Sequence, residues 1–549
     1  MLNEKGERMN LLEQWLSYPA AIDRILSIIG IEIHWFILQY VLGLPLVILV
    51  ALLAYKRTAN ESWLKLARTS AKALGLVFAV GAASGTASEF GLLVIWPNLL
   101  EAAGRYIYFP LYVEIFAFLT EITFIYLLVF GWGKLSLNGR IAVAFLALLG
   151  AWLSGAMIMS VNSYMVAPTG VSPAFSQEAG WLYSQGYPKI LLVVPERLVD
   201  ALDVGKLQSL GMEVVGRVGG GVAVYMPSRI VARLAYEAWG GRTVGESVLA
   251  LVVKPEALPS LKATLVKDVV DAVLTETVRT VGYTTVTFKS PVFVGSFLHA
   301  VGAALTVTGF TIAGAYALLS LLSRRESKYY ADGLRFGVVF SLVAVAVQGA
   351  VFGHVIGTEI AKYNPEKLAA MEGTSKAVLS IPRALGIESL MKAIIFGNPG
   401  AAMPSYDEIP VDYCRLDNLP PVQDCRPPLI LHYLYYSKIG LSLLLGLLAL
   451  AGTVLIYTGR APGRLTLYGF AVSPVIAHAV SFLGWAVREM GRKPWTIYGV
   501  MTVDVAHTAN PAGAAEYAVV ASIFLGVLAA LIYASWRILL APSLRGGGE

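Results

Sequence analysis

The chain is poor in charge: of its 549 residues only 14% are Asp, Glu, Lys or Arg, against 56% hydrophobic. That balance excludes a water-soluble fold and places the protein in the membrane class. Cysteine is nearly missing. The two present, Cys414 and Cys425, cannot build a disulfide framework or a four-thiolate zinc site. No segment alternates apolar and polar residues as the strands of a membrane barrel do. The charged start, Met1 to Asn10, has no small-residue cleavage site, so no removable signal peptide is expected. The apolar spans also lack the repeated halves with paired interruptions that mark many secondary transporters.

What is present is a series of nine apolar spans, at 28–55, 73–96, 107–131, 141–165, 291–322, 334–357, 429–457, 464–488 and 515–540. Each is near or above the ~20 residues needed to cross ~30 Å of hydrocarbon as a helix. The expected fold is an all-α polytopic membrane protein of nine transmembrane helices, with a small α+β extracytoplasmic insertion. Basic residues gather between spans one and two (Lys56, Arg57, Lys65, Arg68, Lys72), three and four (Lys134, Arg140), five and six (Arg324, Arg325, Lys328, Arg335) and seven and eight (Arg460, Arg464). The positive-inside rule makes these loops cytoplasmic. The N-terminus is then outside, and the tail bearing Arg537 and Arg545 is inside the plasma membrane. The net charge of +6 is topology and does not indicate nucleic-acid binding.

The chain divides into spans one to four (1–165), an outer insertion (166–290), spans five and six (291–357), a second outer segment (358–428), and spans seven to nine with the tail (429–549). In the insertion, 189–195 reads as a buried strand, 196–210 as a helix, and Val214 to Met226 as two strands turning at Gly219-Gly220-Gly221. That glycine run lies between strands without a following helix or Lys-Ser/Thr, so it is a turn and not a phosphate loop. Cys414 and Cys425 lie on the oxidising side, where a disulfide persists; two free thiols are the alternative.

Ionisable groups inside a bilayer are costly, which makes each one a candidate for function. His34 and His299 lie six and eight residues inside the outer ends of their spans. A neutral imidazole at that depth suits haem iron; a histidine bonded to a neighbouring helix is the plainer alternative. Glu114 and Glu121 are seven residues apart, on one helix face and about 10 Å along it. They can pass protons or balance a buried metal charge, or simply stay protonated. Arg24 stands just outside the first span, as an interfacial anchor or a partner for a haem propionate, and Glu32 lies beside His34. Lys367 and Glu372, five apart in Lys-Leu-Ala-Ala-Met-Glu, can grip quinol oxygens and accept protons, or form an ordinary salt-bridged surface helix.

Several strings resemble subunit I of the cytochrome bd-type quinol oxidases over all nine spans. They are Lys367 to Gly373, Gly484-Trp485 with Gly491-Arg492-Lys493-Pro494-Trp495, Asn162-Ser163-Tyr164-Met165, and Phe297-Leu298-His299. The resemblance implies an electrogenic oxidase with low-spin and high-spin haem b, haem d as the alternative at the oxygen site, and quinol as substrate. It also implies a second membrane subunit, either subunit II or another subunit-I-like chain. His34 resembles the ligand at the oxygen site, and His299 one ligand of the low-spin haem. Glu121 and Glu114 resemble the proton path, Lys367 and Glu372 the quinol site, and Arg492 and Trp495 belong to a cofactor-binding string. Two positions depart from the pattern. The second low-spin ligand, normally methionine, aligns with Lys438, with His432 nearby as a substitute. The carboxylate of the second high-spin haem aligns with Phe482, four residues from His478, which can take its place. A degenerate, non-catalytic subunit is the alternative function.

Overall fold

A computed structural model describes residues 21–167, 290–323, 327–409, 426–498, 501–506 and 514–537, three strands of the insertion, and isolated positions 205, 411 and 424. Eight helices among the described residues are long and apolar enough to cross a membrane. Helices α1 (Ala21–Thr58), α2 (Glu61–Ile95), α3 (Pro97–Phe130) and α4 (Leu137–Val166) form one part, and α5 (Phe293–Leu322) follows the insertion. The sixth span runs through α6 (Lys328–Val347), a π-helical turn at Gln348–Phe352, and α7 (Gly353–Tyr363). Short helices α8 (Pro365–Glu372) and α9 (Glu388–Phe396) precede α10 (Ile430–Tyr457) and α11 (Arg464–Met490). Helix α12 (Ala514–Ser535) occupies the ninth expected span.

The helices exceed the apolar runs. Lys65, Arg68 and Lys72, expected in a loop, lie on the first turns of α2, which begins three residues after α1 ends. A helix needs no apolar side chains to keep its own hydrogen bonds, and long basic side chains carry their charge back to water while their stems pack.

The main core is built where α1 and α5 cross the bundle, from Ile37, Val47, Ile48, Leu52, Val307 and Phe310, all buried. Glycines set the close approaches: a Cβ at Gly43 would fall 2.7 Å from Thr308 Cβ, and one at Gly337 2.5 Å from the Ala313 backbone nitrogen. A second core joins α8, α10, the end of α11 and the hairpin of β4 (Trp495–Ile497) and β5 (Met501–Thr502), through Met371, Tyr406, Leu431, Met490, Trp495 and Tyr498. In the insertion, β1 (Lys189–Pro195), β2 (Glu213–Val218) and β3 (Gly221–Pro227) form an antiparallel sheet in the order β1-β3-β2. These strands stand where the sequence places them. The helix expected at 196–210, apart from position 205, and both cysteines lie outside the described residues.

Candidate functional site

A cavity of about 430 Å³ lies among α1 to α5 and the end of α11, within the range of small-molecule sites. His34, Glu114, Glu121, Glu489 and Arg492 are its ionisable walls, together with Lys493. The fold brings them together through small residues. Gly85 of α2 admits His34, since a Cβ there would lie 2.9 Å from the ring's Cε1, and Gly150 of α4 lets the Glu121 backbone approach to 3.0 Å of such an atom.

The tautomer of His34 follows from its partner. The Ser84 hydroxyl donates to the Gly81 carbonyl at 3.0 Å, so its oxygen accepts from His34 Nδ1–H at 3.1 Å. The lone pair is then on Nε2, the atom available to a metal. Glu114 accepts from the Ser154 hydroxyl at 2.9 Å, whereas Glu121 Oε1 is buried with no partner. Arg492 donates from Nη2 to Glu489 Oε2 at 2.5 Å, while its Nε and Nη1 are buried and unbonded. Asn162 ties the network together: its Nδ2 donates to Glu489 Oε1 at 3.2 Å, and its Oδ1 accepts from Arg488 Nε at 2.5 Å. Arg488 Nη2 is a further orphaned donor. A buried guanidinium with free N–H groups is a receptor for carboxylates.

His299 stands apart from this cavity. Its Nδ1 is buried without a partner, and its carbonyl accepts from Gln348 in the π turn at 3.0 Å. Lys438 lies in the seam of α10 and α11 opposite Gly484, and its Nζ is 5.8 Å from the centre of the Tyr435 ring. It makes no ion pair or hydrogen bond through Nζ with a described residue.

All eight residues of α8 are buried, which overturns the surface-helix alternative for Lys367 and Glu372. The two do not pair with each other. Five residues place them about 140° apart around the helix axis. Glu372 Oε2 accepts from Tyr436 at 2.6 Å, while its Oε1 is buried and unbonded. Lys367 packs on Gly491, where a Cβ would fall 2.6 Å from its Cε. Burial pushes the Glu372 carboxyl up to about 7 and the Lys367 ammonium down to about 7. Glu366, not singled out by the sequence, accepts from Tyr498 at 2.5 Å, and burial raises it to about 7 as well.

A family model for cytochrome bd terminal oxidase subunit I matches residues 22–184 and 270–546. The chain belongs to this family. It is 24% identical over 487 residues to a Bacillus subtilis (strain 168) protein provisionally assigned as cytochrome bd menaquinol oxidase subunit I, covering 86% of this chain and 85% of the other. It is 30% identical over 138 residues to the cytochrome bd-II ubiquinol oxidase subunit 1 of Escherichia coli (strain K12), a quarter of each chain (25% and 27%). The bd oxidase structure from Geobacillus thermodenitrificans matches with a TM-score of 0.65 at 19% identity, covering 96% of this chain and 99% of that one, which shows the fold.

As a cytochrome bd subunit I, the protein is a multi-pass membrane protein for which haem is the implied cofactor, and its polar atoms fit that group. A histidine with a free Nε2, a second imidazole with an unbonded Nδ1 and orphaned arginine donors are what iron and propionates require. Among the described residues no three His, Cys, Asp or Glu cluster as a bare metal site.

Three expectations are corrected by the geometry. Phe482 is 47% exposed on the outside of the bundle and does not line the cavity, so the alignment that put the missing carboxylate there fails. The carboxylate that α11 brings to the cavity is Glu489, three residues before Arg492, and that spacing was the signal available in the sequence. His478 is not on the cavity either: its Nε2 meets Tyr40 Oη at 2.6 Å and its ring stacks on Phe36 at 3.9 Å. His432 cannot substitute as an iron ligand. It is fully buried, with Nδ1 at 2.8 Å from the Met371 carbonyl and Nε2 at 3.0 Å from the Ile381 amide. Trp495 packs in the second core beside Tyr498, while its neighbour Thr496 reaches the cavity. Arg24 lies on α1, with its side chain outside the described set.

Proposed function

We propose that the protein is the haem-bearing subunit of a quinol:oxygen oxidoreductase, oxidising quinol at α8 and reducing O2 to water in the His34 cavity. The observation that carries this reading is the single cavity shared by His34, the Glu114–Glu121 pair and the Glu489–Arg492 pair. Haem b at His299 and high-spin haem b or d at His34 would supply electron storage and oxygen activation.

The residues divide the remaining work. His34 offers Nε2 and Glu489 a carboxylate to the high-spin site, while Arg492 and Arg488 hold propionates through their free N–H groups. His299 and Lys438 serve the low-spin site. A half-buried lysine there without a counter-charge is disfavoured as an ammonium, whereas its neutral amine has a lone pair for iron. At α8, the Glu372 carboxylate takes a proton from a quinol hydroxyl, and the Lys367 ammonium steadies the other oxygen. Glu121 and Glu114, with the Ser154 hydroxyl between α3 and α4, carry protons into the cavity.

With the basic loops cytoplasmic, α8 and the N-terminus lie outside and the C-terminus inside. Scalar protons then leave outward and chemical protons arrive from within, so turnover builds a membrane potential. A second integral membrane subunit completes the complex. The degenerate-subunit alternative is disfavoured because histidine, carboxylate and arginine donors all remain at the cavity. The test is quinol-dependent oxygen uptake by the His34→Ala complex: loss of uptake is expected, and wild-type uptake would overturn the assignment.

A further inference from the structure

Oxidising a quinol breaks two O–H bonds, and Glu372 accounts for one proton. The other end of α8 repeats its construction. Glu366 is 4% exposed, and its Oε2 accepts the Tyr498 hydroxyl at 2.5 Å, as Glu372 accepts that of Tyr436 at 2.6 Å. Lys367 lies between them: at 100° per residue it is 100° from Glu366 and about 140° from Glu372 around the axis. Its Nζ makes no hydrogen bond or ion pair with a described residue, so the three buried groups offer one cation flanked by two carboxyl–phenol pairs.

We propose that Glu366, bonded to Tyr498, is the second proton acceptor for the quinol, acting with Glu372 across Lys367. This rests on the function proposed above. Quinol gives quinone: its two protons end on the Glu366 and Glu372 carboxylates before leaving outward, and its two electrons would be taken up by the bound haem cofactors. Tyr498, on the turn that follows β4, is the side-chain partner of Glu366, and burial is the largest influence on its ionisation, which lies at about 7. The elements around α8 carry other titratable or charged groups: Glu359, Lys362 and Tyr363 on α7, His432, Tyr435, Tyr436 and Lys438 on α10, Arg488, Glu489 and Arg492 at the end of α11 and just after it, and Asp407 in the turn at Tyr406–Glu408. Asp407 is engaged by Ser375 and the Lys376 amide, and Tyr436 by Glu372.

Glu366→Gln separates chemistry from architecture. A glutamine oxygen still accepts the Tyr498 hydroxyl but cannot take a proton at neutral pH. In the purified complex, kcat for quinol oxidation is expected to fall roughly a hundredfold with KM within a factor of about two, and one ionisation should leave the pH profile. Haem spectra, and oxygen uptake driven by a ferrocene-type donor that releases no protons, should be unchanged. Glu366→Asp should recover part of the rate, and Tyr498→Phe should shift the ionisation while keeping turnover. Wild-type kcat and pH profile in Glu366→Gln would overturn the proposal, as would equal losses with quinol and ferrocene donors, which would make Glu366 structural. A wild-type complex with ferrocene-driven uptake and no quinol oxidation would overturn the parent reading, and this inference with it.

Discussion

His432→Ala removes the pin between α10 and the segment that follows α8. The imidazole is fully buried, donates from Nδ1 to the Met371 carbonyl at 2.8 Å and accepts at Nε2 from the Ile381 amide at 3.0 Å. This is the one neutral tautomer that satisfies both. Beneath the ring, Gly373 closes α8 at φ +64, and a Cβ there would lie 2.7 Å from it. Each lost bond removes about 1 kcal/mol, and the stranded backbone groups with the vacated volume bring the local cost to roughly 3 kcal/mol. At 1.4 kcal/mol per decade, amide exchange across residues 372–382 should accelerate about a hundredfold, read by hydrogen-exchange mass spectrometry of the purified complex. The membrane helices should exchange as in wild type, and the low-spin haem band should persist because neither ring nitrogen is free for iron. Unchanged protection in 372–382, or loss of that band, would refute the reasoning.

Two further outcomes follow from the site. Glu372 accepts a proton only as a carboxylate, and burial raises its ionisation to about 7, so quinol oxidation should rise with pH through that range; Glu372→Gln should remove one ionisation from this limb and leave it shallower, and a profile unchanged in that variant would exclude the role. Glu489→Gln should remove the high-spin haem signal while the low-spin band stays, read by reduced-minus-oxidised spectra; a full high-spin signal would return the carboxylate's place to another residue.

The spans were legible because about 20 apolar residues admit few structures other than a membrane helix, and β1 to β3 because apolar runs flank a glycine turn. The helical start of α2 was not, since Lys65, Arg68 and Lys72 look the same in a loop and on a helix that leaves the bilayer. The site was legible at His34, Glu114 and Glu121, where ionisable residues interrupt apolar runs. It failed at Glu489, which sits near the charged end of α11 among Arg488, Arg492 and Lys493 and so resembles an interfacial residue. The burial of α8 was equally hidden: its string is polar, and only packing against α7, α10 and the β4 hairpin turns Glu366, Lys367 and Glu372 into interior groups. Burial is a property of the neighbours, which one amphiphilic octet does not encode.

The central claim is that this chain carries both kinds of haem, with Lys438 completing the low-spin site. The direct measurement is pyridine haemochrome analysis with a reduced-minus-oxidised spectrum of the purified complex, on wild type and Lys438→Ala. The account predicts low-spin and high-spin signals together in the wild type and selective weakening of the low-spin band in the variant. A wild type without haem on this subunit, or a variant spectrum identical to wild type, would contradict it.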